Sequence, residues 1–187
     1  MTKTVDAPAT AAVRPATRPL RTLYFTRAGI AAAWAVALAI GGGTEAVAVA
    51  LLISYPLLDV AASLVDARIH RGAAVARTQY GNAAASAATA AAIAVAAASA
   101  TSHMIAVFGV WAFLSGGVQL YVALRRRREI SGQWPMLISG GLSAVAGAMF
   151  LAASTSADAD PKILAKYALA GAAFYVVSAV RLGRSAA

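Results

Sequence analysis

Asp59 is the residue whose position most strongly suggests chemistry, because its carboxylate lies inside a long apolar stretch. It belongs to the segment SYPLLDVAASLVD, residues 54–66, and follows Pro56 by three positions. A charge at the centre of a membrane helix costs up to about 3 kcal/mol, and a proline removes one helical hydrogen bond. A carboxylate kept at this cost either titrates to move a proton or cation, or pairs with a counter-charge. Both chemistries remain open for Asp59.

Polar side chains in the other apolar stretches are candidate partners for Asp59. Arg27 is the nearest available counter-charge, and Asn82, Ser86 and Thr89 are spaced 4 and 3 apart, as on one helix face. On the topology derived below, these groups share the cytoplasmic half of the membrane, which predicts a polar pocket that opens towards the cytoplasm. The candidate intramembrane polar site is Asp59, Arg27, Ser86, Thr89, Ser115 and Gln119.

The residue patterns of common enzyme chemistry do not occur in the sequence. The chain has no cysteine and two histidines, and it contains no H-E-x-x-H helix, no G-x-S-x-G turn and no phosphate-binding glycine loop. We therefore expect a protein that is not an enzyme, with no catalytic residue, no metal site and no cofactor.

The composition indicates that the polar residues are surrounded by lipid. Of the 187 residues, 60% are hydrophobic and 12% charged, whereas a soluble domain has about 25% charged residues. Six stretches are long and apolar enough to predict transmembrane helices. The third is rich in alanine and only marginally hydrophobic, so we expect it to lie inside the bundle. The predicted spans are Leu23–Ile40, Ala46–Val65, Asn82–Ala100, Met104–Leu124, Pro135–Ala153 and Ile163–Leu182.

The basic residues are placed as in a multi-pass protein of a bacterial inner membrane. Fourteen of the sixteen Lys and Arg residues lie before or near the start of the first span, near or after the end of the last, or near the second and fourth connections. This positive-inside pattern puts both termini in the cytoplasm. The net charge of +9 therefore indicates topology, and we expect the lipid bilayer as partner and no nucleic acid. The predicted organisation is a disordered cytoplasmic tail (1–22), a six-helix transmembrane domain (23–183) and a cytoplasmic C-terminal tail (184–187).

The six spans fall into three similar pairs, which predicts an all-α bundle of three helical hairpin repeats. Aromatic residues recur at the cytoplasmic side of each pair at spacings of 56 and 54, and each pair ends in arginine. Such side chains favour the headgroup level of a bilayer. The predicted interface anchors are Tyr24, Tyr80, Trp134, Arg125, Arg126, Arg127 and Arg128.

Small residues in the fourth and fifth spans predict close helix contacts. Lipid provides no hydrophobic force between helices, so small residues must let backbones approach closely. The predicted helix-packing residues are Gly116, Gly117, Gly140, Ala144 and Gly147. The same faces could join a second copy of the chain or another membrane protein, and the sequence leaves that choice open.

The stretch ALRRRREISGQWPMLISGGLSAVAGAMF, residues 123–150, resembles the short-repeat bacterial membrane family that includes the HdeD acid-resistance proteins. The shared features are a helix that ends in arginine, then a Gly, a Trp, and glycines along the next span. The resemblance extends weakly over residues 23–183, and the first hairpin lacks the glycine pattern. It implies a six-span inner-membrane protein, linked in some members to acid tolerance. The matching residues here are Arg125, Gly132, Trp134, Gly140 and Gly147.

These observations favour a non-enzymatic integral membrane protein that serves envelope or acid-stress tolerance. The alternative is a small proton- or ion-coupled transporter or channel that uses Asp59, and a third possibility is a structural helper for other membrane proteins. The surroundings of Asp59 in the folded protein distinguish a structural role from transport. A dry pair with an arginine favours a structural role, and a wet polar pocket favours transport.

Overall fold

Six α-helices joined by short connections make up nearly all of the part of the chain that the structure describes. The structure is a computed structural model that describes residues 17–130, 133–156 and 159–184, and no strand occurs in these ranges. The helices are α1 (Thr17–Gly41), α2 (Glu45–Ile69), α3 (Ala74–Ala96), α4 (Thr101–Arg126), α5 (Trp134–Ala153) and α6 (Ile163–Arg184).

Five helices in the described ranges, α1, α2, α4, α5 and α6, are long and apolar enough to cross a membrane. Each has at least 20 residues, and 20 residues at 1.5 Å per residue match the hydrocarbon thickness of about 30 Å. The chain is therefore an integral membrane protein with several membrane helices. The 23-residue helix α3 is long enough but is not one of the five.

The helices form a closed ring in which each packs mainly on two neighbours and α6 packs on α1. The contacts are most extensive between α4 and α5, between α1 and α6 and between α2 and α3, and least extensive between α1 and α2 and between α5 and α6. An aromatic cluster fills the interior at one end, with centroids of neighbouring rings 4.3 to 6.3 Å apart. It consists of Trp34, Tyr55, Phe108, Trp111, Phe150 and Tyr167.

The prediction that the third span lies inside the bundle is wrong. α3 lies on the ring between α2 and α4, with alanines such as Ala84 and Ala88 exposed. Its buried face carries polar residues that turn towards α2, and most of its alanines lie on the other faces. The helix also covers 74–96 rather than the predicted 82–100.

The first helix begins earlier than predicted. α1 starts at Thr17, so residues 17–22, which we assigned to a disordered tail, are helical. Leu20 is fully buried and packs in a second apolar cluster with residues of α4, α5 and α6. Residues 1–16 of the predicted N-terminal tail and residues 185–187 of the C-terminal tail lie outside the described ranges.

Glycines bring α4 and α5 into backbone contact. A Cβ atom built on Gly116 would lie 2.6 Å from the Ala144 nitrogen and 2.7 Å from the Gly140 carbonyl oxygen. A Cβ atom built on Gly147 would lie against the Phe113 nitrogen and 2.5 Å from the carbonyl oxygen of Gly109. The last of these, Gly109, was not among the predicted packing residues.

One predicted packing residue needs correction. Gly117 takes no part in the contact between α4 and α5, because a Cβ built on it would meet nothing within 4 Å. It follows Gly116 by one position, and successive helix residues point about 100° apart. Only one of two adjacent glycines can therefore face α5.

The predicted interface anchors divide into two groups. Tyr80 and Trp134 are 49% and 45% exposed, and Arg125, Arg127 and Arg128 are exposed at the end of α4. The remaining two, Tyr24 and Arg126, are each only 4% exposed and lie inside the bundle. The helical turn explains the burial of Arg126, because it continues the inward-facing row of Val122 and Ala123.

Candidate functional site

One face of α2 carries a row of buried polar side chains. Asp59, Ser63 and Asp66 are spaced 4 and 3 apart and all are buried, as expected for one face of a helix. α2 therefore presents two carboxylates to the interior, about two helical turns apart. Residues from three other helices surround them.

Asp59 is held by one charged and two neutral donors. Arg27 Nη2 on α1 donates to Asp59 Oδ1 at 2.6 Å. Asn82 Nδ2 and Ser86 Oγ on α3 donate to Asp59 Oδ2 at 2.7 and 2.8 Å. The Asp59 side chain is only 6% exposed. The carboxylate is thus paired and hydrogen-bonded on both oxygens, as a buried charge requires.

Further contacts connect this carboxylate to the rest of the ring. The indole nitrogen of Trp111 on α4 donates to Ser86 Oγ at 2.9 Å. The guanidinium of Arg27 lies 4.8 Å from the ring centroid of Tyr175 on α6, within the range of a cation–π contact. The network around Asp59 therefore joins α1, α2, α3, α4 and α6.

A second buried ion pair lies on the cytoplasmic side of Asp59 in the predicted topology. Arg126 on α4 donates to Asp66 Oδ1, and Gln79 Nε2 on α3 donates to Asp66 Oδ2 at 2.7 Å. Arg126 Nη1 also donates to the hydroxyl of Tyr24 at 3.2 Å, and His70 Nδ1 lies 2.9 Å from Asp66 Oδ1. The side chains of Asp66 and Arg126 are 5% and 4% exposed. Sequence reasoning missed this pair.

The structure brings only part of the predicted polar site together. Arg27 and Ser86 bind Asp59 directly. Ser115 and Gln119 line cavities that Asp59 also lines, but no hydrogen bond joins either residue to Asp59. Thr89 lies outside the cluster, because its hydroxyl donates to the carbonyl oxygen of Ala85 at 2.8 Å.

A signal for the second pair was present in the sequence. Asp66 is seven residues after Asp59 and Gln79 is three before Asn82, so both continue helix faces that already carry polar groups. Arg126 was harder to find, since it is one of four consecutive arginines. Nothing in that run distinguishes an inward from an outward side chain until the helix orientation is known.

Two cavities adjoin the ion pairs. A cavity of about 40 Å³ is lined by Asp59, Asp66 and polar groups around them, and this volume is enough for water. A larger cavity of about 580 Å³ reaches Asp59 and Arg27 from the side of α5 and α6. The two carboxylates are thus buried but lie beside cavities.

The chemistry available to this site is that of charge pairing and hydrogen bonding. Each carboxylate is matched by an arginine from another helix, so each pair has no net charge. Within the described part of the chain, no group of three His, Asp or Glu side chains is arranged to hold a metal ion.

The chain was compared with known protein families. Residues 82–152 match a family described as a short repeat of unknown function (DUF308). The matched region runs from the middle of α3 through α4 and nearly all of α5, and includes the glycine contact between α4 and α5. No curated protein matches the chain, and no solved structure matches it.

Proposed function

We propose that the chain is a six-span protein of a bacterial inner membrane, built as three helical hairpins with both termini in the cytoplasm. The ring supports a three-fold repeat, because extensive contacts between successive hairpins alternate with less extensive contacts between the two helices of each hairpin. α3 is the sixth span. Its buried polar side chains are bound to α2, which leaves mainly alanine to face lipid.

The proposed role is non-enzymatic and serves envelope or acid-stress tolerance. The observation that carries the non-enzymatic part is the pairing of both buried carboxylates with arginines. A buried pair of this kind can fix the register of helices, and here such pairing occupies both carboxylates. The link to acid stress comes from the resemblance of residues 123–150 to the HdeD group, and the short-repeat match over residues 82–152 supports the broader family.

A second candidate function is a proton- or ion-coupled transporter or channel. The observation that favours it is the small polar cavity next to both Asp59 and Asp66, because a water there would connect two titratable groups. Intramembrane carboxylates are candidate functional sites by default. The proposals differ in whether charge crosses the membrane, which proton flux into liposomes measures.

Survival of bacteria in acid tests the stress role. A host that lacks its own short-repeat proteins is compared with and without the chain, and we expect the chain to raise survival after an acid challenge. Replacement of the exposed Ala98 by cysteine, in a chain with no other cysteine, controls for insertion. An impermeant thiol reagent should label Ala98→Cys from the outer side. Equal survival with correctly inserted protein would contradict the stress role.

A further inference from the structure

The larger cavity has the size of a ligand site and lies in the membrane-spanning part of the bundle. Its volume is about 580 Å³, within the range of about 300–1,000 Å³ that is usual for small-molecule pockets. Residues of α1, α2, α4, α5 and α6 line it, and none of α3 does. It is therefore separate from the polar face that α3 presents to Asp59.

The cavity wall is mostly apolar and carries a small number of polar groups. Aromatic and aliphatic side chains form most of the lining, while Arg27, Ser115, Gln119 and Ser139 supply hydrogen-bonding groups. Within the described ranges, the hydroxyls of Ser115 and Ser139 make no hydrogen bond. Arg27 uses one guanidinium nitrogen for Asp59, which leaves N–H donors for another group. The wall suits a molecule with a long apolar part and one polar head.

The cavity is accessible from the lipid-facing surface. Its lining includes exposed apolar residues on α1 and α2, such as Ile30 and Leu58, and on α5, such as Leu142 and Met149. These helices belong to the neighbouring pairs with the least extensive contacts, α1 with α2 and α5 with α6. A molecule dissolved in the hydrocarbon layer could enter between them without crossing water.

The charges of the lining favour an anionic head group. Three charged side chains line the cavity, the cations Arg27 and Lys166 and the anion Asp59. Arg27 is paired with Asp59, so the excess positive charge of the wall is that of Lys166, near the start of α6. We propose that this cavity binds a single-chain amphiphile with a carboxylate head, of the fatty-acid type, taken from the bilayer.

Quenching of tryptophan fluorescence by a brominated fatty acid tests this proposal. Trp111 lines the cavity, and the exposed Trp134 is replaced by phenylalanine in every sample to remove quenching from bulk lipid. The full chain is placed in lipid nanodiscs and titrated. We expect quenching that saturates as the fatty acid is added. Quenching that rises linearly without reaching a plateau would overturn the proposal.

Two glycines provide a matched pair of variants. A Cβ built on Gly171 or on Gly117 meets nothing within 4 Å, but only Gly171 lines the cavity. Gly171→Leu should fill the cavity and weaken binding roughly tenfold or more, whereas Gly117→Leu should leave it unchanged. Equal affinity of the two variants would contradict binding in this cavity.

The head group is tested on the unaltered cavity, so that this arm does not depend on the folding of a cavity variant. A brominated alcohol with the same chain is titrated beside the brominated acid. The carboxylate should bind roughly tenfold more tightly, because only it complements the excess positive charge. Equal binding of acid and alcohol would contradict the anionic head.

Discussion

Replacement of Arg126 by leucine is expected to lower the free energy of unfolding by about 3–5 kcal/mol, the cost of leaving one partner of a buried ion pair uncompensated. Asp66 would keep its bond from Gln79 and its contact with His70 but lose its arginine while 5% exposed. The Tyr24 hydroxyl would lose its donor as well. Unfolding of purified protein in mixed micelles, titrated with a denaturing detergent, measures this loss.

Two control variants test whether the stability loss in Arg126→Leu comes from the broken ion pair. Arg128→Leu removes an exposed arginine two residues away and should change stability by less than about 0.5 kcal/mol. The double variant Asp66→Leu/Arg126→Leu removes both charges and should recover most of the loss, since apolar replacement of a whole buried pair is often neutral or stabilising. A loss in Arg126→Leu no larger than in Arg128→Leu would refute a buried pair.

Replacement of Gly147 by alanine should separate α4 from α5. The new methyl group would lie against the backbone nitrogen of Phe113 and 2.5 Å from the Gly109 carbonyl oxygen. Backbone atoms of a packed helix cannot move aside alone, so the helices must shift. We expect a loss of about 1–3 kcal/mol in the free energy of unfolding, measured in the same detergent titration.

Gly141 on the same helix is the matched control for Gly147. A Cβ built on Gly141 meets nothing within 4 Å, so Gly141→Ala should be neutral or should stabilise through the better helix propensity of alanine, by up to about 1 kcal/mol. If both substitutions had the same effect, the close contact of α4 with α5 would not contribute to stability.

Much of the architecture follows from the apolar stretches, because each must become a helix whose backbone bonds are satisfied internally. The predicted boundaries of α1 and α3 agree less well with the structure. Leu20 and Gln79 lie outside the apolar cores of their helices, and tertiary contacts rather than hydropathy hold them in the bundle. Hydropathy therefore locates a membrane helix but underestimates how far its ends continue.

The candidate site was predictable where one charge required another. Asp59 was expected to pair with a counter-charge or to titrate, and Arg27 provides the counter-charge. Thr89 could not be excluded from the sequence, because a threonine hydroxyl can instead bond a carbonyl of its own helix, as it does with Ala85. The burial of Arg126 depends on how α4 is rotated about its axis, which packing decides.

The two functional proposals make different predictions for the Asp59 pair. In the preferred one, the pair and its bonds from α3 fix the position of α2, and loss of the carboxylate affects stability alone. In the alternative, Asp59 releases and takes up protons through the small cavity that it shares with Asp66. Hydrogen-bond geometry is the same in both, so the difference lies in transport.

Proton flux into liposomes that hold the purified full chain tests the central claim most directly. Wild type and Asp59→Asn are compared at acidic and neutral external pH, beside liposomes without protein. We predict no flux above the protein-free level in either protein, with lower stability in the variant. Flux in wild type that disappears in Asp59→Asn would contradict the structural role of Asp59 and establish it as a proton site.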